Sequence, residues 1–166
     1  MMPLKGNKMK IICESIKLLE GISKVQRAIS PKAALPILEG ILIEADNKLK
    51  LAGNDLDIAI ECYIESDILD KGSIVVNSKI FGDIIAKMPE GDILLEVQEN
   101  NIIYIECNNT HFRVKGLSAV GFPGLPAKDE GIEFSIESGI LKDMIRQTIF
   151  AASTDDSQPV DRKSVV

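Results

Sequence analysis

The sequence predicts an α+β fold in which amphipathic helices pack on antiparallel β-sheets. Apolar and polar residues alternate through residues 32–60, and turn residues interrupt the alternation at Pro36, Asp46-Asn47 and Gly53-Asn54-Asp55. Such alternation between turns is typical of antiparallel strands with one buried face. Stretches with helical spacing of apolar residues, and a restart of the same order of elements near residue 128, complete the prediction.

Composition narrows the class of protein. The chain has 166 residues, of which 45% are apolar and 4% aromatic, with no Trp, so Leu, Ile and Val must form the core. No apolar run approaches the roughly 20 residues of a membrane-spanning helix, and the first residues lack the apolar segment of a secretory signal. Cys13, Cys62 and Cys107 are far apart and odd in number, which predicts free thiols and no metal site. We expect a cytoplasmic protein with no membrane partner and no cofactor.

Two amphipathic helices are predicted among the first 90 residues. The first is capped by Ser15 and extends to about Ile29, and the second is capped by Ser78 and ends at Pro89. The apolar stripe of the first contains Leu18, Ile22, Val25 and Ile29, and that of the second contains Ile80, Phe81, Ile84, Ile85 and Met88. Strands are predicted at residues 9–13, 37–45, 48–52, 58–65, 72–76, 92–98, 102–107 and 111–117.

The pattern restarts after a linker rich in Gly and Pro at residues 121–126. A shift of 123 residues brings Ser15 onto Ser138 and Pro36 onto Pro159 without a gap. A strand at residues 132–136 and a further helix are therefore predicted, and the stripe of that helix contains Ile140, Leu141, Met144, Ile145 and Ile149. We interpret this pattern as a repeated domain of about 120 residues.

The repeat leads to a division of the chain. We expect residues 1–8 to be a disordered leader, residues 9–127 a complete domain, and residues 128–166 the start of a truncated second one. Residues 161–166 are charged where the first copy continues as an apolar strand. Their codons can match a sequence that resembles a common sequencing adapter. We therefore expect these six residues to be read-through rather than native sequence.

Charge is unevenly distributed. The net charge is −6, yet residues 15–32 carry four cations against one carboxylate, and residues 78–88 carry two against one. The predicted helices are therefore basic, and the remainder of the chain is acidic. Basic faces with few aromatic residues indicate sequence-independent contacts with duplex phosphates rather than stacking on single strands.

No catalytic constellation is evident. Nucleotide-binding, hydrolase and metalloprotease motifs are absent, and His111 is the only histidine. Asp55 and Asp57 flank a turn, where they could serve a metal-dependent phosphoesterase, although turn formation explains them too. We predict no catalytic residue and no metal site. The alternatives that remain are this phosphoesterase and a stand-alone protein-interaction module with no DNA role.

Four motifs together resemble the bacterial β sliding clamp family, the processivity subunit of DNA polymerase III. They are LPIL at residues 35–38, LAGNDLD at 51–57, KIFGDII at 79–85 followed by PEG at 89–91, and FPGLP at 122–126. The resemblance extends over residues 9–160 and covers less than half of a full clamp. It implies a DNA-clamp fold, with two helices backed by antiparallel sheet in each of three repeated domains. It also implies a non-catalytic ring that encircles duplex DNA and confers processivity on the replicative polymerase.

The resemblance also implies site residues. Lys32 and Lys79 match family positions that meet DNA, and helix geometry adds Lys24, Arg27 and Lys87 as DNA-binding candidates.

A second clamp subunit is the implied partner of the strand at residues 111–117. That strand would pair with the last domain of the other subunit in a head-to-tail homodimer, with Phe112 and Val114 as apolar contacts. The groove for the DNA polymerase III catalytic subunit and the clamp loader lies between the middle and last domains of the family. Almost none of that groove falls within this chain.

Overall fold

The computed structural model describes residues 8–30, 33, 35–98, 100–124 and 134–151. The chain divides into two compact units, Met1–Leu125 and Pro126–Val166. Lys32, residues 1–7 of the predicted leader and the predicted read-through at residues 161–166 lie outside the described residues. The predicted domain limits therefore stay predictions.

Two antiparallel sheets and two α-helices form the first unit, which confirms the predicted α+β class. The strands are β1 (Met9–Glu14), β2 (Gly40–Ala45), β3 (Leu49–Asn54), β4 (Ala59–Ile64), β5 (Asp67–Asp70), β6 (Gly72–Asn77), β7 (Asp92–Val97), β8 (Ile102–Cys107) and β9 (Thr110–Lys115). The first sheet has the order β5-β1-β7-β8-β9, and the second has the order β4-β3-β2-β6.

Helix α1 (Ser15–Val25) follows β1 directly and continues into a 3₁₀ turn at Gln26–Ala28. The predicted cap at Ser15 is wrong, because Glu14 occupies the N-cap position and Ser15 is buried. The Ser15 hydroxyl instead accepts a hydrogen bond from the Gly91 N–H at 3.2 Å, and the Ser15 N–H donates to the Gly91 carbonyl at 2.9 Å. The residue therefore joins two distant parts of the chain.

Helix α2 (Ser78–Ile85) follows β6 in the same way. Here too the predicted serine is not the cap, since the Asn77 side chain accepts a hydrogen bond from the Ile80 N–H at 3.1 Å. An asparagine oxygen at this position satisfies one of the N–H groups that a helix start leaves without a partner.

The core lies between the helices and the two sheets. Leu18, Ile22 and Val25 of α1 are fully buried, as predicted. In α2 the prediction is wrong at Ile80, which is 50% exposed. The buried face of α2 is centred on Phe81 and Ile85, four residues apart, and Ile80 lies about 100° from Phe81 around the helix axis.

Some predicted strand limits differ from the structure. Residues Pro36–Glu39 form a 3₁₀ helix rather than the start of β2, because Pro36 stands in its first turn and has no N–H for a strand ladder. Strand β5 was not predicted, since four residues flanked by exposed charges leave too short an alternation to recognise.

The chain beyond β9 is attached to the second sheet. Leu117 and Val75 exchange two backbone hydrogen bonds at 2.8 and 3.0 Å. Further along, the Asn54 side-chain amide donates to the Pro123 carbonyl at 3.2 Å. Leu117 is therefore held against β6, and the described part of the predicted linker is held against β3.

The second unit repeats the local structure of the first. Helix α3 (Ser138–Thr148) and a 3₁₀ turn (Ile149–Ala151) have the limits of α1 and its 3₁₀ turn shifted by 123 residues. This agreement supports the predicted repeat. The predicted strand at residues 132–136 is wrong where the structure describes it, because residues 134–136 pair with no described strand. None of the side chains of α3 is buried.

Candidate nucleic-acid interface

Helices α1 and α2 lie side by side and form an open groove on the surface of the first unit. Its walls are Leu19, Ile22, Ser23 and Gln26 from α1 and its 3₁₀ turn, and Ser78, Lys79, Gly82, Asp83 and Ala86 from the α2 side. The Gln26 side-chain amide donates a hydrogen bond of 2.8 Å to the Ser78 carbonyl across this groove. The end of α1 is thereby linked to the start of α2.

The predicted DNA-binding cations that the structure describes belong to the two segments that form this groove. Lys79 lines it, whereas Lys24, Arg27 and Lys87 each directly follow a residue that does. All four side chains are exposed. None of them makes an ion pair or a side-chain hydrogen bond within the described part of the chain. They are therefore free to meet an external anion.

Cations on the sheets have a different environment. Lys10 pairs with Glu96 at 2.9 Å, Lys50 with Glu44 at 2.8 Å and Lys71 with Asp46 at 2.7 Å. Lys48 in the turn after β2 and Arg113 and Lys115 in β9 lack such a pair among the residues described, and the Lys115 ammonium group donates to the Asn100 carbonyl at 2.7 Å. Lys10, Lys50 and Lys71 are already neutralised by a neighbouring carboxylate, so they present little free positive charge.

Lys17 on α1 behaves like the sheet lysines. Its ammonium group lies 3.0 Å from a carboxylate oxygen of Glu65 and 3.2 Å from one of Glu14. Hydrogen bonds to Glu65 and then to Glu14 raise the pKa of Lys17. The charge count from sequence included Lys17 in the basic face, but this lysine is neutralised. The Glu14 contact at i, i+3 could have been expected from sequence, whereas the Glu65 contact could not.

The remaining face of the two helices suits contacts with phosphates. Four free cations stand against two exposed carboxylates, Glu20 and Asp83. The only aromatic residue of α1 and α2 is Phe81, which is fully buried, so the face has no ring on which a base could stack. Lysine and arginine without stacking groups can bind duplex phosphates without reading the base sequence.

The structure does not support the phosphoesterase. Asp55 forms the turn between β3 and β4, where its carboxylate accepts hydrogen bonds from the Asp57 N–H at 3.0 Å and the Ile58 N–H at 2.7 Å. Among the residues described, no three His, Cys, Asp or Glu side chains come together in a way that could hold a metal ion. Formation of the turn therefore accounts for the position of Asp55.

Strand β9 lies at the edge of the first sheet and pairs only with β8 among the described strands. The hydrogen bond from the Gly116 N–H to the Asn101 carbonyl continues the β8–β9 ladder at 2.7 Å. Along an antiparallel strand, every second residue directs its backbone N–H and C=O groups to the neighbouring strand, and the residues between direct theirs away from it. The backbone groups of His111, Arg113 and Lys115 therefore point toward the open edge of the sheet.

The two predicted interface side chains on β9 differ. Phe112 is 36% exposed, so its ring is accessible at the edge of the sheet. Val114 is only 8% exposed because it packs in the core of its own unit. The expectation that Val114 offers an apolar surface is therefore corrected. A strand partner could contact Phe112 and the β9 backbone.

Comparison with known proteins gives three results. Residues 9–126 match the family model described as DNA polymerase III beta subunit, N-terminal domain. The chain is 38% identical over 151 residues to a protein named beta sliding clamp from Halalkalibacterium halodurans, covering 86% of this chain and 40% of the relative. It is 34% identical over 161 residues to the beta sliding clamp of Bacillus subtilis, covering 92% of this chain and 43% of that relative.

A solved structure agrees with these relatives. The DNA polymerase sliding clamp from Bacillus subtilis superposes with a TM-score of 0.87 at 33% identity, over 93% of this chain and 43% of that one. The chain therefore spans about two fifths of the length of the proteins it matches. No helix within the described residues is long and apolar enough to cross a membrane.

Proposed function

The chain belongs to the DNA polymerase III beta subunit family, and from this premise we propose that it forms the first part of a sliding clamp. Such a clamp encircles duplex DNA and gives processivity to the replicative polymerase. The cations around the α1–α2 groove are the observation that carries this proposal. Lys24, Arg27, Lys79 and Lys87 are exposed and have no partner among the described residues, whereas Lys10 and Lys50 on the sheets and Lys71 between β5 and β6 are paired.

This charge distribution fits a protein that surrounds DNA. A ring remains on DNA because it is closed, so its contacts need only be weak and independent of sequence. Isolated cations without stacking rings or base-reading groups meet that requirement. The clamp itself performs no chemistry in this proposal, because bond formation belongs to the polymerase and ATP hydrolysis to the clamp loader.

The partners and the domain division follow from the same proposal. Residues 9–127 form the first clamp domain and residues 128–166 begin the second. The open edge of β9 pairs with a second clamp subunit in a head-to-tail homodimer, with Phe112 at the contact. An exposed strand edge is a site for pairing with another chain unless it is covered, which supports this assignment. The polymerase catalytic subunit and the clamp loader bind elsewhere on the ring, in the cytoplasm.

Charge reversal in a full-length clamp tests the proposal. We expect Lys32→Glu and Lys79→Glu to weaken loading on circular duplex DNA and to shorten the products of the polymerase. Each lost phosphate contact should lower the slope of log K against log salt concentration by about 0.9. Lys48→Glu is the matched control, because Lys48 is also exposed but lies in the turn after β2.

The outcomes separate the proposal from its rival. Loading and processivity that stay unchanged at moderate salt in both helix variants would exclude a DNA-facing role for Lys32 and Lys79. A stand-alone interaction module would show no retention on circular DNA at all, even with a loader present. Equal losses in Lys48→Glu and Lys79→Glu would indicate a general effect of charge rather than a DNA-binding face.

A further inference from the structure

The hydrogen bond between Gln26 and Ser78 connects the two helices that carry the free cations. We propose that Gln26 is a positioning residue, which holds the start of α2 against the end of α1 so that Arg27 and Lys79 face DNA phosphates at a constant spacing. This inference rests on the proposed DNA-facing role of these helices. It assigns a function to a neutral side chain that no charge pattern in the sequence indicates.

The geometry of the contact supports this role. The Gln26 amide nitrogen donates to the Ser78 backbone carbonyl at 2.8 Å, and the two residues are 52 positions apart in the chain. Arg27 directly follows Gln26, and Lys79 directly follows Ser78. Consecutive Cα atoms are about 3.8 Å apart, so this bond constrains the distance between the two backbone positions that carry the cations.

Helix α2 has space for the amide at the position of Gly82. A Cβ atom there would lie 2.7 Å from the Gln26 amide nitrogen and 3.5 Å from an Ile22 side-chain carbon. A Cβ within 3.0 Å of another heavy atom requires one of them to move. The absence of a side chain at Gly82 therefore allows the Gln26 amide to lie against α2 and reach Ser78.

The bond is not needed to complete the start of α2. Asn77 caps this helix, since its side chain accepts a hydrogen bond from the Ile80 N–H. The Gln26 amide instead adds a contact between helices at the groove that Lys79 lines. Duplex DNA carries one negative charge per about 1.7 Å of its axis, and phosphate contacts determine how a protein is oriented on it. A change in the spacing of two cations therefore alters which phosphates they can reach together.

A double-mutant cycle in the full-length clamp tests the inference. We would measure binding to a short linear duplex by fluorescence anisotropy over a series of salt concentrations. Gln26→Met removes the donor and keeps a straight side chain of similar length. We expect Gln26→Met to weaken binding measurably but by less than Lys79→Ala, which should lower the log–log salt slope by about 0.9. In the Lys79→Ala background, Gln26→Met should have little further effect, because Gln26 acts through Lys79.

Two further variants distinguish a positioning role of Gln26 from a loss of binding caused by a folding defect. Gly82→Ala keeps the glutamine but displaces its amide, so it should weaken binding in the same direction. Gln98→Met is the matched control, because it makes the same change at an exposed glutamine that follows β7 and does not line the groove. A purely structural role for Gln26 would lower the urea midpoint and weaken binding equally in both Lys79 backgrounds, and that result would overturn the inference.

The inference and the proposed function fail in different ways. If Lys79→Ala weakens binding while Gln26→Met and Gly82→Ala do not, the helices face DNA but Gln26 has no positioning role. If Lys24→Ala, Arg27→Ala and Lys79→Ala all leave binding unchanged, the DNA-facing role itself is wrong, and the inference falls with it.

Discussion

Gly53 in β3 is a position where the structure predicts a large effect of a single methyl group. A Cβ atom on Gly53 would lie 2.4 Å from the backbone carbonyl oxygen of Val25 and 2.9 Å from an Ile29 side-chain carbon. Val25 is the last residue of α1, so the end of this helix lies directly against the strand. Gly53→Ala must therefore displace the helix end or the strand.

The magnitude follows from the atom that is contacted. Added methyl groups in a packed core typically cost about 1–3 kcal/mol, and a backbone oxygen cannot move aside as a side-chain tip can. Alanine also reduces the entropy of the unfolded chain, which offsets about 0.4–1 kcal/mol. Because the backbone oxygen cannot move aside, the cost should lie near the upper end of that range, which leaves a net loss of about 2 kcal/mol in the free energy of unfolding. Arg27 lies just beyond the displaced segment, so its position should shift as well.

Urea unfolding followed by far-UV circular dichroism measures this loss, since the chain has no Trp to report by fluorescence. The free energy of unfolding of a small protein falls by about 1–3 kcal/mol per molar urea. A loss of about 2 kcal/mol should therefore lower the urea concentration at the unfolding midpoint by on the order of 1 M. Gly124→Ala is the matched control, because a Cβ there meets nothing within 4 Å. We expect that variant to stay within about 0.5 kcal/mol of the unaltered chain. If the two substitutions have equal effects, the contact between the end of α1 and β3 is not as close as described.

Three further predictions concern acid stability, thiol reactivity and local opening. A hydrogen bond from Lys10 lowers the pKa of Glu96 below its usual 4.5, so this pair stabilises the fold above that pH and the stabilisation is lost as the pH falls through the lowered value. Glu96→Gln should therefore be less stable than the unaltered chain at neutral pH, and this difference in the free energy of unfolding should become smaller in urea titrations below pH 4.5. A difference that does not change with pH would show that the Lys10–Glu96 pair does not contribute to acid stability. Burial raises the pKa of Cys13 to about 12, whereas Cys62 is only half-buried. An aromatic disulfide reagent should therefore modify Cys62 before Cys13. Cys62→Ala should remove the fast phase of thiol modification. Because no side chain of α3 is buried, its amides should exchange faster with solvent than those of β3, and equal protection would contradict this expectation.

Much of the fold was accessible from local patterns. Alternating strands and apolar helix stripes produce the two sheets and two helices, because residue spacing alone determines which side chains share a face. The errors occur where a distant residue intervenes. Ser15 resembles a helix cap, but its hydroxyl bonds to Gly91. The family resemblance implied a subunit contact at Val114, but this residue packs in the core of its own unit.

The candidate site shows the same division. The concentration of lysine and arginine on two helices was visible in the sequence, and so was the spacing that exposes Lys24 and Lys79. The sequence did not show that Glu65 neutralises Lys17 from 48 positions away, or that Gln26 reaches Ser78 across the groove.

Periodicity and charge are local properties of the chain, so the class of fold, the order of its elements and the basic character of the helices could be predicted from residue patterns. Those patterns could not show which cations remain free, which polar groups hold the helices together or which apolar residues stay at the surface. Hydrogen bonds, ion pairs and burial depend on partners that folding brings together from distant positions.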